Sequence, residues 1–185
     1  MTRASSPWLA ALLILAVLAA WLSATGQPFL AASGRILLWY NDPSGPEGSQ
    51  HLFDWYSPSH LIHGLLFYAA LWLVARRVPV GWRLVMAVVV ESAWELVENS
   101  PVVIDRYRSV TVSKDYFGDS VLNSVMDVVC MGLGFWLARR LPVWASVILI
   151  LAFEVFTTWV IRDGLALNVL MLLWPVDAVR EWQAG

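Results

Sequence analysis

The sequence predicts an all-α, polytopic membrane protein, a bundle of five or six transmembrane helices forming one domain over residues 1–185. Three observations carry this. Hydrophobic residues make up 59% of the chain, against about 45–50% in an ordinary soluble domain, and mean hydropathy is +0.64. The apolar residues fall in separate runs long enough to cross a bilayer, with arginines at their ends. Twelve Trp in 185 residues match the enrichment of indole rings at membrane interfaces, with some left to pack between helices.

The first run, residues 8–24, follows Arg3 and reads as a retained spanning helix rather than a cleaved signal. Residues 25–58 form a loop whose centre, Asn41-Asp-Pro-Ser-Gly-Pro-Glu-Gly-Ser49, is turn chemistry. Within it, Phe29 to Tyr40 is apolar enough for a short helix at the membrane interface. The second span, 60–78, begins after Ser57-Pro58-Ser59, with Ser59 as its N-cap, and ends at Arg76-Arg77. A tight turn at Pro79 leads into the third span, 81–97. Residues 99–118 form a second polar loop. The fourth and fifth spans are 119–137, closed by Arg139-Arg140, and 142–161. The last apolar stretch, 165–179, is broken by Pro175 and Asp177 and is either a short sixth span or a helix lying on the surface.

With the N-terminus cytoplasmic, Arg3, Arg76, Arg77, Arg83, Arg139, Arg140 and Arg180 are expected on the inner side. Arg35, Arg106, Arg108, Lys114 and Arg162 lie opposite, among acids. Positive residues favour the cytoplasmic side, so both long loops are expected in the periplasm of a bacterial inner membrane. A net charge of −2 and the absence of a basic run with interleaved aromatics argue against nucleic acid as a partner. Membrane lipid is the expected surrounding, and nothing in the chain specifies an oligomer. The single cysteine, Cys130, lies in an apolar span, where a packed thiol is the ordinary outcome.

The residues that carry chemistry begin with Glu91, Glu95 and Glu98. Steps of four and three place all three on one face of the third span, where a single charge near the bilayer centre costs at least roughly 2.5–3.5 kcal/mol. Protons, donors on facing helices or a metal ion must compensate them. His60 and His63 share one face of the second span, and Asp119, Asn123 and Asp127 repeat every four residues in the fourth. The topology brings these faces to one side of the membrane, with His60, His63, Glu95, Glu98 and Asp119 shallow, and Glu91 and Asp127 about 10–12 Å deeper by helical rise.

Histidines and carboxylates projecting from facing helices are the ligands that helical bundles use for zinc, manganese or iron. The expected metal set is His60, His63, Glu95, Glu98 and Asp119, with Glu91 or Asp127 as general base and Asn123, Asn99 and Asp54 in support. The zincin signature His-Glu-x-x-His is absent. A hydrogen-bonded network of protonated carboxylates, His and Asn is the rival reading, and a proton or ion pathway is a third. With a metal, the expected chemistry is hydrolysis or group transfer on a lipid or other envelope substrate. Arg106 and Arg108 are candidates to clamp a phosphate headgroup, or are simply solvated loop charges. A serine nucleophile among Ser57, Ser59, Ser120 and Ser124, with His60 as base, is a further option. Without an enzyme activity, the chain would be an accessory or assembly subunit or a small transporter. Glu154 is a separate intramembrane acid in need of a partner.

The motifs Ser49-Gln-His-Leu-Phe-Asp-Trp-Tyr-Ser-Pro-Ser-His-Leu-Ile-His-Gly64, Trp94-Glu-Leu-Val-Glu-Asn-Ser-Pro101, Ile104-Asp-Arg-Tyr-Arg108, Gly118-Asp-Ser-Val-Leu-Asn-Ser124, Val160-Ile-Arg-Asp163 and Leu167-Asn-Val-Leu-Met171 together resemble a family of small bacterial inner-membrane proteins of unknown function. The resemblance covers most of the chain from about residue 25. It implies a multi-pass membrane protein of a Gram-negative bacterium and brings no activity, ligand or catalytic residue with it.

Overall fold

The computed structural model describes residues 6–185, so Arg3 lies outside the described residues. Eight helices and no strand are present among these residues: α1 Ser6–Thr25, α2 Ser57–Val74, α3 Val80–Glu98, α4 Pro101–Val110, α5 Val121–Arg140, α6 Val143–Ile161, α7 Leu165–Leu173 and α8 Asp177–Ala184. Four of them, α1, α2, α5 and α6, are long and apolar enough to cross a membrane. Helix α3 matches them with 19 residues, about 28 Å at 1.5 Å per residue, but carries Arg83, Glu91, Glu95 and Glu98 among its apolar residues. Its position inside the bundle is what tolerates those charges.

The core joins α1, α3 and α5 through Leu18, Leu22, Leu84, Ala87, Val88, Val121, Val128, Met131 and Phe135. Helix α2 lies against α5 at very short range: a Cβ at Gly64 would overlap the Met131 carbonyl oxygen, and one at Gly134 that of Leu61. Small residues let helix backbones approach this closely where lipid supplies no hydrophobic drive to association. The α2–α5 contact sets the distance between His60 and Asp127, one turn nearer the loops. Helix α6 buries only Thr157, which leaves most of its apolar surface to lipid.

The long loop between α1 and α2 is tied to the start of α5, where a helix leaves its first amides without intrahelical partners. Ser120 N donates to Ser49 O (2.9 Å) and Val121 N to Pro28 O (2.9 Å). Gln50 Nε2 donates to Gly118 O (2.8 Å) and Asn123 Nδ2 to His51 O (2.9 Å). Gly118 has φ +90°, and a Cβ there would meet Gln27 Nε2 and Asn99 Oδ1, so glycine is needed for both backbone and space.

Several expectations are corrected. The interfacial helix over Phe29 to Tyr40 does not form. That segment turns at Gly34, with φ +70°, and pairs its backbone instead, with Leu52 N donating to Leu37 O (3.2 Å) and Tyr40 N to Phe53 O (2.9 Å). The polar loop 99–118 contains α4, started by Ser100 as N-cap with Pro101 behind it. The 165–179 stretch is not one helix. Helix α7 has nine residues, about 14 Å, less than half of a hydrocarbon core of about 30 Å, and it ends before Pro175. Arg162 Nη1 donates to Trp182 O (3.0 Å) and Arg106 Nε to Leu172 O (3.1 Å), so α7 and α8 stay at the loop end. Arg180 therefore sits with the loops, not with Arg76, Arg77, Arg83, Arg139 and Arg140. The half of the bundle holding those five arginines contains none of the fourteen acidic residues.

Glu154 finds its partner here. Its Oε1 accepts from Leu165 N (2.9 Å) and its Oε2 from Ala166 N (3.0 Å), so the acid of α6 caps the N-terminus of α7.

Candidate functional site

Helix α2 begins at Ser57, with Tyr56 as N-cap, three residues before the predicted start. The histidines are therefore set deeper and come level with Glu91. His60 Nδ1 lies 2.7 Å from Glu91 Oε1, and His63 Nδ1 lies 2.9 Å from the same oxygen and 3.1 Å from Oε2. Glu91 thus belongs with the two histidines rather than on a floor below them. His60 also faces Glu95 Oε1 at 3.7 Å through Nδ1 and Asp127 Oδ2 at 3.8 Å through Nε2. It makes these close contacts with carboxylates, and no serine hydroxyl is paired with it among the described residues.

Glu91 and Glu95 are fully buried and Asp127 nearly so. Both carboxylate oxygens of Glu95, and Oδ1 of Asp127, have no hydrogen-bond partner among the described residues. A buried carboxylate left unpaired is costly. The ligand atoms gather in three groups within which they lie inside 4.8 Å of one another: His60, His63 and Glu91; His60, Glu95 and Asp127; and Glu95, Glu98 and Asp119. Every residue predicted as a metal ligand or base is in one of these groups.

The supporting residues fasten the site. Asn99, at the C-terminal end of α3, donates through Nδ2 to Glu95 O (3.0 Å) and Asp119 Oδ2 (3.2 Å), and its Oδ1 accepts from Asp119 N (2.6 Å). Tyr116 donates its hydroxyl to Asp119 Oδ1 (3.0 Å). Asp119 precedes α5, and burial, reinforced by the charge of Asp54, pushes its carboxyl up to about 6. Asp54 is itself raised by burial, although it accepts from Tyr56 N (2.8 Å) and Ser49 N (3.1 Å). It organises the turn into α2. Asn123 holds His51 O, as described above, and so fixes the loop rather than the acids.

A cavity of about 810 Å³ opens over the site. His60, His63, Glu91, Glu98, Asp119 and Asp127 line its polar base, while Phe67, Val90, Trp94, Leu165, Val169 and Leu172 form an apolar wall. Tyr56, Tyr107 and Tyr116 also face it. Burial raises all three phenols well above their usual range, so they serve as neutral donors. Arg106 and Arg108 are not part of the lining. Arg106 holds the end of α7, and Arg108 donates to Tyr116 O (2.6 Å) and lies 4.4 Å from the Phe117 ring centroid. The lysine in the lining is Lys114. The tyrosines, Lys114 and the apolar wall were missed from the sequence. Tyr107 between two arginines and Trp94 beside Glu95 are the only local signal.

These features define a helical membrane protein with a buried histidine–carboxylate centre beneath a roof of loops. The chain belongs to the DUF2585 family, described as a protein of unknown function, whose sequence pattern matches residues 22–185. A UPF0314 protein of Paracoccus denitrificans (strain Pd 1222) is 60% identical over 184 residues, covering 100% of this chain and 95% of its own length. A UPF0314 protein of Rhizobium etli is 51% identical over 175 residues, 95% of this chain and 89% of that protein. Another, from Novosphingobium aromaticivorans, is 53% identical over 165 residues, 86% of this chain and 83% of that protein. No solved structure matches the chain.

Proposed function

We propose that the chain is a metal-dependent hydrolase or transferase acting on a lipid or other envelope substrate, with its cavity facing the periplasmic side of a bacterial inner membrane. The observation that carries this reading is Glu95, fully buried with neither oxygen hydrogen-bonded, placed between His60, Asp127, Glu98 and Asp119. Oxygen and imidazole donors at this density suit a divalent zinc, manganese or iron ion. Such an ion would supply Lewis-acid activation of water and of an ester or phosphoryl group. Asp127 is the base that best fits, because it lines the cavity and keeps Oδ1 free, whereas Glu91 is engaged by both histidines. The apolar wall supports a lipid substrate. Val90 lines the cavity and is 53% exposed, so the wall continues into the surface that lipid covers.

Elemental analysis of protein purified without a nickel column tests the reading. Bound metal is expected in the wild type and none in the double variant His60→Ala/Glu95→Gln, which takes a ligand from each of the three groups. A metal-free wild type, unchanged in thermal stability by chelators or by added zinc and manganese, overturns it.

A second reading has its own support. The distances of 2.7 and 2.9 Å from the histidines to Glu91 are hydrogen-bond lengths, shorter than the edge of about 3.3 Å expected between ligands around a tetrahedral zinc with bonds of 2.0–2.1 Å. They favour a proton-sharing network in an accessory or assembly subunit or small transporter. Recovery of a partner protein at fixed stoichiometry from metal-free material would favour that alternative.

A further inference from the structure

We infer that the site holds two cations at chemically different positions, an inference that rests on the metal-dependent reading above. The sequence treats His60, His63, Glu95, Glu98 and Asp119 as one ligand set, and the structure divides it. The deep group, His60, His63 and Glu91, offers two imidazole nitrogens and a carboxylate; the shallow group, Glu95, Glu98 and Asp119, offers carboxylate oxygens alone. They share no residue. The third group joins them, because His60 belongs to it and to the deep group, and Glu95 to it and to the shallow one.

The shallow group is more than a collection of acids. Glu95 reaches it with no exposure and no hydrogen bond to either oxygen, and the donors at Asp119, Tyr116 and Asn99, are already spent on that residue. The three groups hold five carboxylates and two imidazoles, and among the described residues the ion pairs of these carboxylates are with histidine, none with Lys or Arg. One divalent ion at the histidines would leave three negative charges among the ionised carboxylates, and a second in the shallow group would leave one. Ligand type also separates the two. Imidazole suits zinc, iron and nickel, and together with carboxylates it also holds manganese in di-manganese helical bundles, whereas an all-carboxylate position suits magnesium, calcium or manganese. Manganese is the ion that both positions accept.

The experiment uses the full chain in detergent, stripped with a chelator and titrated with manganese(II) alone, with metal counted by elemental analysis and its environment read by electron paramagnetic resonance. The expected wild type binds two equivalents with a spin-coupled spectrum. Glu98→Gln, which alters a side chain at the cavity edge, is expected to bind one equivalent with the spectrum of an isolated ion. Asp119→Asn should do the same, so misfolding of one variant leaves the other to decide, and His63→Ala should lose the other equivalent. One equivalent in the wild type, unaffected by Glu98→Gln and Asp119→Asn and removed by His63→Ala, overturns the second position and leaves the metal-dependent reading standing. Binding of no manganese overturns the two-cation inference, and a parallel titration with zinc that also finds none overturns the metal-dependent reading as well.

Discussion

Gly64 of α2 and Gly134 of α5 meet backbone to backbone. A Cβ at Gly64 would come against Met131 O, Phe135 N and Gly134 C, and one at Gly134 against the backbone of Leu61. The site depends on this contact, since His60 lies one turn from Gly64 and Asp127 one turn from Met131. Gly64→Val or Gly134→Val is expected to push the helices apart and cost about 1–3 kcal/mol, as overpacking does. Gly132 has open space around its Cβ position. Gly132→Ala is therefore expected to be neutral or to stabilise α5 by up to about 1 kcal/mol, because Ala suits a helix better. Unfolding in detergent measures all three, and equal losses from Gly132→Ala and Gly64→Val would count against the close contact.

Glu91 serves at once as acceptor for the buried ring of His60 and the half-buried ring of His63. Glu91→Ala leaves His60 and His63 without their shared partner and is expected to destabilise the protein by about 3–5 kcal/mol, the usual cost of breaking a buried charged pair from one side. Glu91→Gln keeps the shape and one acceptor oxygen and should cost less. A stability difference of zero between the two variants would show that hydrogen bonding to Glu91 contributes nothing.

Glu154 and Arg106 hold opposite ends of α7, one accepting from its first amides and the other donating to the carbonyl of Leu172. Glu154→Leu removes a cap and is expected to cost about 0.5–2 kcal/mol. The loss should be local, seen as faster hydrogen exchange at Leu165 and Ala166 while α2 and α5 keep their protection. Arg106→Ala should loosen the same segment without altering affinity for anionic lipid headgroups. A large loss of headgroup binding would restore the clamp that the sequence suggested.

Asp163 supplies a pH dependence. Its carboxylate accepts from Gly164 N (2.8 Å) and from the Tyr56 hydroxyl (3.2 Å), but burial dominates and pushes it from 3.8 up to about 6. The folded protein therefore holds this proton more tightly than the unfolded chain does. Between about pH 4 and 6 the unfolded state is ionised while the folded state is still protonated. The contribution of Asp163 to stability falls as pH rises through that window and is level above it. The difference in melting temperature between wild type and Asp163→Asn should shift against the wild type from pH 4 to 6, then stay constant to pH 8. A difference independent of pH would contradict the raised value.

The spans and the convergence of acids and histidines were legible because each rests on short-range pattern: apolar runs for the helices, steps of three and four for the faces. Depth was harder. Starting α2 at Ser57 instead of His60 moved both histidines by almost a turn and changed their nearest acid from Glu95 to Glu91. Residues 29–40 are misread as helix because an apolar composition does not distinguish a helix from an extended segment whose backbone pairs with Leu52 and Phe53. Helix α4 was hidden by its charged residues, although Ser100-Pro101 marked its start. The roles of Arg106 and Glu154 could not be read at all, because each bonds to the backbone of α7, and backbone acceptors and donors leave no trace in side-chain identity.

The cap on α7 also bears on truncation. Glu154 and the amides it holds are only eleven and twelve residues apart, so the bond closes a short loop at modest entropic cost. A chain ending before Leu165 would keep α6 complete yet leave its carboxylate without the amides it caps, on a helix that faces lipid over most of its surface. The insertion penalty would then be roughly 2.5–3.5 kcal/mol if the acid lay near the bilayer centre. Loss of the last short helices would thus be felt first as poor membrane integration of the helix before them.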